Sequence, residues 1–375
     1  MPEIWLRYGT TDVALDIKFE NLLNQISSNS PHLLSENEIK STIGSILLTD
    51  SSLIVALSGG NAVAKIITVL VEVAKEKGYT NITVGVISRL SSNLKTNIIG
   101  DESVSIYRID SYVELQDAIQ KFQSTIFVSH TSYDPLFGFR GAPTTLLRTF
   151  MKREMNKAFN ARQNDLPNPG VRSRPLEIAL YACQSIHATS IELIANKSGI
   201  IGLSHGDITK AFNNAITKLL STTVIESEIV GSAIVSSSGE INLHSTLTDS
   251  LNTLWNSIHI VRENGSVILL AENRGGVGEG ALQMFIQGTV NIDELKQESC
   301  YTNGLEHLVY INELRDKYNI GMLTTVPEYY LKTKLGLSSF TSIKDVLNKL
   351  LLKHGKYHKI LVLSDADIIL TKPKL

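Results

Sequence analysis

The segment Asp134-Pro-Leu-Phe-Gly-Phe-Arg-Gly-Ala-Pro-Thr144 joins an apolar run, residues 124–129, to a helical pattern. The apolar run has the β-branched and aromatic composition of a strand. Gly138 and Gly141 let the backbone approach a ligand or another backbone closely, and the proline that follows suits the first turn of a helix. α/β proteins place anions and cofactors at such a turn between a strand and a helix. A tight turn that binds nothing is the alternative.

Strand and helix patterns alternate on both sides of this segment. Apolar strand runs at 52–57 and 82–87 are separated by a stretch with helical spacing. This order predicts the α/β class, with a mainly parallel sheet flanked by helices. The alternation continues as a second unit after the turn at Ser236-Ser-Ser-Gly. We therefore predict two domains of this kind, residues 1–240 and 241–375, with a cleft between them.

The bulk composition excludes several functional classes. A net charge of −2 and a pI near 6.5 provide no basic surface for nucleic acid. No apolar run approaches the length of a membrane span, and the first residues lack the pattern of a signal peptide. The two cysteines, Cys183 and Cys300, are too few for a disulfide framework and are typical of a reducing compartment. These features predict a cytoplasmic protein that binds neither nucleic acid nor membranes.

A second candidate ligand site is the turn formed by Ser58, Gly59, Gly60 and Asn61. It follows a strand run and precedes a helical pattern, so its backbone amides could hold a phosphate or a carboxylate. The alternative is an ordinary strand-to-helix turn in which Asn61 caps the helix. The turn lacks the Gly-x-Gly-x-x-Gly pattern and so gives little support to a dinucleotide site.

A third candidate is the glycine-dense turn at residues 271–280, which follows another strand run. Ligands of open α/β sheets bind at the carboxyl ends of strands. Glu272 and Arg274 are therefore candidate contacts, and packing at an interdomain hinge is the alternative. Beside the first glycine segment, Asp134 and Arg140 could orient a small anion or form an ion pair within the loop.

Other polar residues have an ordinary structural explanation beside the functional one. His130, four residues before Asp134, could act in the cleft, or it could be a buried histidine of an apolar strand. Asp365 and Asp367 could bind a hard cation, although a solvated strand end explains them as well.

Four segments, in order along nearly the whole chain, match the motifs of one family. They are residues 13–23, residues 138–143 (Gly-Phe-Arg-Gly-Ala-Pro), residues 191–207 and residues 268–280. Together they resemble the nickel-pincer lactate racemases, in which the second segment reads Gly-Phe-Ser-Gly-Gly-Pro-Lys. The resemblance implies the two-domain fold of that family. It also implies a chemistry in which a lysine-bound nickel cofactor racemises a 2-hydroxy acid.

The chain departs from the family at the residues that carry this chemistry. By the resemblance, Thr144 stands at the cofactor lysine and Asn160 at a nickel-binding histidine. Asp134 and Ser88 stand at the two catalytic histidines, and Arg89 is retained. Threonine cannot form the covalent link of the lysine, and asparagine is a weaker nickel ligand than histidine. Carboxylate and hydroxyl groups are poor substitutes for imidazoles near neutral pH.

We therefore expect the family fold without the nickel-pincer cofactor or any other metal. The first hypothesis is a divergent isomerase or related enzyme acting on a small hydroxy or carboxylic acid, with Asp134 and Arg89 as catalytic residues. The second is an inactive relative that binds a small anion or has a regulatory role. A nicotinamide-dependent oxidoreductase is supported only by the βαβ order. The expected ligand contacts are Ser58, Gly59, Gly60, Asn61, Ser88, Gly138, Arg140, Gly141, Thr144, Asn160, Glu272 and Arg274.

Overall fold

Strands and helices alternate through the computed structural model, which describes residues 4–28, 32–87, 105–239, 245–297 and 300–374. The strands are β1 (Ile4–Tyr8), β2 (Thr11–Leu15), β3 (Leu22–Ile26), β4 (Ser51–Ala56), β5 (Asn81–Ile87), β6 (Ser105–Ile109), β7 (Ser124–His130), β8 (Ser132–Asp134), β9 (Gly138–Arg140), β10 (Thr189–Asn196), β11 (Gly199–Asp207), β12 (Val224–Ser227), β13 (Val230–Ser236), β14 (Val261–Leu270), β15 (Asn319–Leu323), β16 (Ser338–Phe340), β17 (Ile360–Leu363) and β18 (Leu370–Pro373).

The α-helices are α1 (Glu36–Gly44), α2 (Asn61–Glu76), α3 (Tyr112–Lys121), α4 (Ala142–Phe150), α5 (Lys152–Asn160), α6 (Arg174–Ala182), α7 (Ile208–Thr223), α8 (Leu247–Trp255), α9 (Ala281–Gln287), α10 (Ile292–Gln297), α11 (Leu305–Leu314) and α12 (Ile343–His354). Short 3-10 helices span Phe19–Asn21 and Ile258–Ile260, and a π-helix spans Tyr330–Leu335. None of the helices in the described ranges combines the length and the apolar character needed to cross a bilayer.

The first sheet has the strand order β11-β10-β7-β4-β5-β6. Its pairs are parallel except for β10 with β11, which are antiparallel. The chain runs outward from β4 through β5 to β6 and returns as β7 on the other side of β4. The reversal leaves a crevice beyond the carboxyl ends of β4 and β7, where open α/β sheets bind ligands. The predicted α/β class with mainly parallel sheets is confirmed.

The second sheet is parallel throughout, in the order β16-β15-β14-β13-β17-β3. Two of its strands, β3 and β13, come from before residue 240. β3 pairs with β17, and β13 lies between β14 and β17. The hairpin β1–β2 also packs on it, with Ile4 and Leu6 among the same buried cluster as Ile234 and Val362. The sheets therefore do not follow the predicted division into residues 1–240 and 241–375, which stays a prediction about domains.

The glycine-rich segment forms a short hairpin, β8–β9, followed by α4. Gly138 has φ +84, and a Cβ there would lie 1.8 Å from the carbonyl oxygen of Val171. A Cβ on Gly141 would meet the ring of Phe212 at 2.5 Å. Pro143 lies in the first turn of α4, as predicted. The two glycines thus allow the hairpin to pack closely against neighbouring segments.

Candidate functional site

A cavity of about 430 Å³ lies between the two sheets. From the unit built on the first sheet, the lining includes the turn after β4, the end of β5, the β8–β9 hairpin and α4 from Thr144 to Thr149. From the unit built on the second sheet, it includes residues before and within α8, the end of the glycine-dense turn and the start of α11. The polar residues that line it are Ser58, Asp134, Arg140, Thr144, Thr145, Arg148, Thr149, Ser245, Thr246, Thr248, Asp249, Asn252, Glu279, Asn303, Glu306 and His307.

One wall of the cavity is a charge network centred on Arg148. Its Nη2 donates to both carboxylate oxygens of Asp134 at 3.1 and 3.0 Å, and its Nη1 donates to Glu306 and to the hydroxyl of Tyr301. The Tyr301 hydroxyl in turn donates to the other Glu306 oxygen at 2.9 Å. Burial alone would raise the pKa of Glu306, but the Arg148 guanidinium overcomes this effect and lowers it. The network therefore joins α4 to α11 across the cavity as a closed set of ion pairs.

Asp134 is committed to this network and to its own loop. In addition to Arg148, its Oδ1 accepts the backbone N–H groups of Leu136 and Phe137, both at 2.9 Å. Asp134 thus fixes the turn of its own loop and holds the Arg148 side chain in place. The geometry therefore favours a structural role over the predicted catalytic one. Asp134 also does not pair with Arg140, as the loop ion-pair alternative required, because its partner is Arg148.

Arg140 is the cation that the network leaves free. Its partly buried side chain lines the cavity, and no carboxylate of the described ranges lies within ion-pair distance of it. Burial lowers its pKa, and the nearby Arg148 acts in the same direction, whereas Asp134 and Asp249 oppose the shift. Arginine nevertheless remains charged in proteins. An unpaired guanidinium in a cavity is a binding group for an anion, especially for a carboxylate or a phosphate.

His307 offers a second group with a defined orientation. Trp255 Nε1–H donates to His307 Nδ1 at 2.9 Å, and both side chains are buried. Burial lowers the pKa of His307, so the ring is neutral at neutral pH. Because Nδ1 accepts, the remaining proton of a neutral ring lies on Nε2. His307 is thus a hydrogen-bond donor at the cavity and lacks the free nitrogen lone pair that a base needs.

The structure brings some of the sequence-predicted residues together and not others. Ser58, Gly59, Asp134, Arg140 and Thr144 line the cavity. The predicted residues that do not line it are Gly60, Asn61, Gly138, Gly141, Asn160, Glu272 and Arg274. Ser88 and Arg89 lie outside the described residues.

The residues outside the cavity have other roles. Gly138 and Gly141 serve close packing, and Asn160 is the exposed last residue of α5. Arg274 Nε donates to Glu272 at 2.7 Å at the surface, beside the β1–β2 turn, where a Cβ on Gly9 would collide with Glu272. The start of the glycine-dense turn therefore contacts the β1–β2 hairpin, whereas Gly278 and Glu279 at its end line the cavity.

His130 is a buried structural histidine. Its Nε2 lies 3.2 Å from the Ala195 carbonyl oxygen, and its backbone N–H donates to Ser58 Oγ at 2.6 Å. Burial lowers the pKa of its ring to about 4. It does not line the cavity, so the alternative of an ordinary strand histidine describes it better. Ser58, which also lines the cavity, ties the ends of β4 and β7 together.

The structure shows the surroundings of Thr144 and Asn160, which the resemblance aligns with cofactor-binding positions of the family. Thr144 Oγ1 donates to the Gly141 carbonyl oxygen at 3.1 Å and accepts from the Gly141 N–H at 3.0 Å, so its hydroxyl caps α4. Asn160 lies at the exposed end of α5, away from the cavity lining. Within the described ranges, no three His, Cys, Asp or Glu residues are grouped as metal ligands.

Sequence reasoning missed Arg148, Glu306 and His307. A signal for the last two exists, because Glu306-His307 interrupts the otherwise apolar run Leu305 to Ile311. Because charged side chains are almost never fully buried unless they are paired, a charge within such a run indicates a buried partner. Arg148 carried no comparable signal, since a cation on an amphipathic helix is usually solvated.

Two solved structures have a similar fold. The lactate racemase apoprotein from Thermoanaerobacterium thermosaccharolyticum aligns with a TM-score of 0.77 and 13% identity, over 99% of this chain and 100% of its own. A Thermotoga maritima protein solved by structural genomics aligns with a TM-score of 0.67 and 11% identity, over 92% of this chain and 100% of its own. No protein-family model and no curated protein sequence matches the chain. At these identities the likeness concerns the fold, and on that basis the chain has the lactate-racemase-like fold.

Proposed function

We propose that the protein binds a small hydroxy or related carboxylic acid in the cavity between the two sheets. The observation that carries the proposal is the Arg140 guanidinium, which lines the cavity without a carboxylate partner in the described ranges. A ligand carboxylate would supply that partner through paired N–H···O bonds. His307 Nε2–H would donate to a second ligand oxygen. A cavity of about 430 Å³ accommodates an acid of a few carbons.

The same geometry favours binding over the family's isomerisation. Racemisation of a 2-hydroxy acid by hydride transfer needs a hydride acceptor and bases on both faces of the carbon. Asp134 is ion-paired with Arg148, and the neutral His307 ring presents a hydrogen-bond donor to the cavity. Neither side chain is therefore arranged as one of these bases. We therefore place the inactive anion-binding relative first and the divergent isomerase second. A nicotinamide-dependent oxidoreductase has no further support, because the turn after β4 lacks the dinucleotide pattern.

Arg140→Ala tests the binding proposal. Small hydroxy acids would be screened by thermal shift, and the best ligand titrated by calorimetry. Loss of the guanidinium should weaken binding about thirtyfold, or roughly 2 kcal/mol, because a charge-assisted contact is lost. Stability without ligand should change little, since Arg140 has no ion-pair partner in the described ranges.

Arg274→Ala is the matched control for this experiment. Arg274 was also predicted as a ligand contact, but it pairs with Glu272 outside the cavity and its side chain is 67% exposed. Its removal should leave affinity unchanged. Unchanged affinity in Arg140→Ala, or a loss confined to Arg274→Ala, would contradict the proposed site.

We also expect the purified protein to carry no stoichiometric nickel. The reason is that Thr144 cannot tether the cofactor and Asn160 lies away from the cavity. Metal analysis of protein produced with added nickel, and mass spectrometry for a covalent adduct, would check this. Chiral chromatography should find no racemisation of lactate even when the pincer cofactor is offered. About one tightly bound nickel per chain would show that the alignment with the family motifs is wrong.

A further inference from the structure

A second cavity lies at the point where the strand order of the second sheet reverses. From β13 the chain runs outward through β14 and β15 to β16, then returns as β17 on the other side of β13. Doubly wound sheets bind ligands in the crevice beyond the carboxyl ends of two such strands. Here the residues that follow β13 and β17 line a cavity of about 300 Å³; they are Ser237, Ser238, Gly239 and Ser364.

This cavity is separate from the one that contains Arg140. The two cavities share no lining residue. The walls of the second cavity come from the second sheet, the β1–β2 hairpin and the unit built on the first sheet. The hairpin contributes Trp5, Arg7 and Asp12, and the unit built on the first sheet contributes Asn61 and Lys197. A ligand here would contact both units at once.

The lining of the second cavity carries more positive than negative charge. Arg7 Nη1 reaches Asp12 only at 3.4 Å, and Arg7 Nε is buried with no hydrogen-bond acceptor among the described residues. The exposed Lys197 likewise has no carboxylate within ion-pair distance in the described ranges. Two cations thus line the cavity with one carboxylate, and the Nε–H of Arg7 has no acceptor among the described residues.

Two buried aspartates, Asp365 and Asp367, follow β17 near this cavity. Asp365 Oδ2 accepts from the N–H and the hydroxyl of Ser28, both at 2.7 Å. Asp367 accepts from the N–H and the hydroxyl of Ser238 at 2.6 and 2.7 Å. Neither aspartate lines the cavity. Different serines hold the two carboxylates, and the described residues contain no group of three His, Cys, Asp or Glu side chains that could hold a metal ion.

We propose that this cavity binds a phosphate group, carried by inorganic phosphate or by a small phosphomonoester. Arg7 and Lys197 match the two negative charges of such a group. Ser237 Oγ accepts from the Gly239 N–H at 3.2 Å, so its own O–H can donate to a phosphate oxygen. Trp5, which is 54% exposed, presents an indole face to the organic part of an ester.

The test is titration of the full chain with orthophosphate and, separately, with glycerol 2-phosphate. Ionic strength is held constant with chloride, and binding is followed by calorimetry and tryptophan fluorescence. Because Trp255 is fully buried, the fluorescence change should come from Trp5. We expect saturable binding to the wild type. Arg7→Gln and Lys197→Gln should each raise the dissociation constant by about tenfold or more. The tighter of the two ligands identifies the source of the phosphate.

Two control variants make the result specific. Lys121→Gln and Arg108→Gln remove exposed cations that do not line this cavity, and both should bind phosphate like the wild type. Arg140→Gln removes the cation of the first cavity and shows to which cavity a phosphate site belongs. Lys197 is exposed, so its variant should fold even if Arg7→Gln does not. Absence of saturable binding, or equal binding by wild type and Lys197→Gln, would overturn the proposal. Loss confined to Arg140→Gln would place the phosphate in the first cavity and overturn it as well.

Discussion

Arg148→Met is expected to lower the free energy of unfolding by about 3–5 kcal/mol, because it breaks a buried ion-pair network from its centre. The side chains of Asp134 and Glu306 are only 4% and 1% exposed. Without the guanidinium both carboxylates would lie in the interior without a counter-charge. Methionine keeps much of the packing on the Phe137 ring, which lies 4.8 Å from the guanidinium carbon. The loss should therefore be mainly electrostatic.

Urea denaturation at pH 7 would measure the effect. Arg153→Met, at an exposed position of α5, is the matched control and should change stability by less than about 0.5 kcal/mol. Adding Asp134→Asn and Glu306→Gln to Arg148→Met should recover part of the loss, because neutral amides are cheaper to bury than charges. A loss below about 1 kcal/mol, or no recovery in the triple variant, would contradict the role assigned to Arg148.

The fold class could be predicted from short-range sequence patterns that correspond to strands, helices and turns of the structure. Alternating strand and helix patterns predicted parallel sheets, and the close approaches at Gly138 and Gly141 explain why the hairpin segment was informative. Sheet membership was harder to predict. β3 pairs with β17 more than 330 positions away, since Ile26 lies opposite Leu363. No pattern within a short window of sequence encodes a pairing over that distance.

The candidate site could be predicted only where its residues follow strands of the same sheet. Arg140 and Ser58 follow strands of one sheet, so their approach at its carboxyl edge could be expected from topology. Arg148 and Glu306 are 158 positions apart, and only packing of the two units brings them together. The resemblance aligns Asn160 with a nickel-binding position, but in the structure it is the exposed last residue of α5.

A buried carboxylate behind the site leads to a second prediction of similar size. Glu192, on β10, is fully buried and accepts from the Ala142 N–H at 2.8 Å and from the Thr131 hydroxyl at 2.8 Å. It thus holds the first residue of α4, next to Arg140. Burial raises its pKa to about 7, although these hydrogen bonds act in the opposite direction. In the unfolded chain its pKa returns to the ordinary 4.5.

The sign of the pH effect follows from the two pKa values. Below about 4.5 both states are protonated at Glu192, and the stabilisation from the raised pKa is fully present. Between about 4.5 and 7 the unfolded state releases its proton while the folded state keeps it. The free energy of unfolding therefore falls with rising pH, by about 3 kcal/mol for this group. Glu192→Gln mimics the protonated form and should remove this dependence.

The difference between wild type and Glu192→Gln is the quantity to measure. Buried His130, whose pKa is lowered to about 4, has the opposite effect on the pH dependence. Its contribution lowers the free energy of unfolding as the pH falls below 6.5. The wild-type curve alone therefore mixes both groups. Subtracting the Glu192→Gln curve cancels the histidine contribution.

Urea titrations from pH 4.5 to 8 would show the wild type losing stability relative to Glu192→Gln as the pH rises. The control variant is Glu226→Gln, at an exposed position of β12, and it should leave the wild-type curve unchanged. Parallel curves would contradict the prediction, because they would mean that the pKa of Glu192 is the same in the folded and unfolded states and that its hydrogen bonds offset its burial.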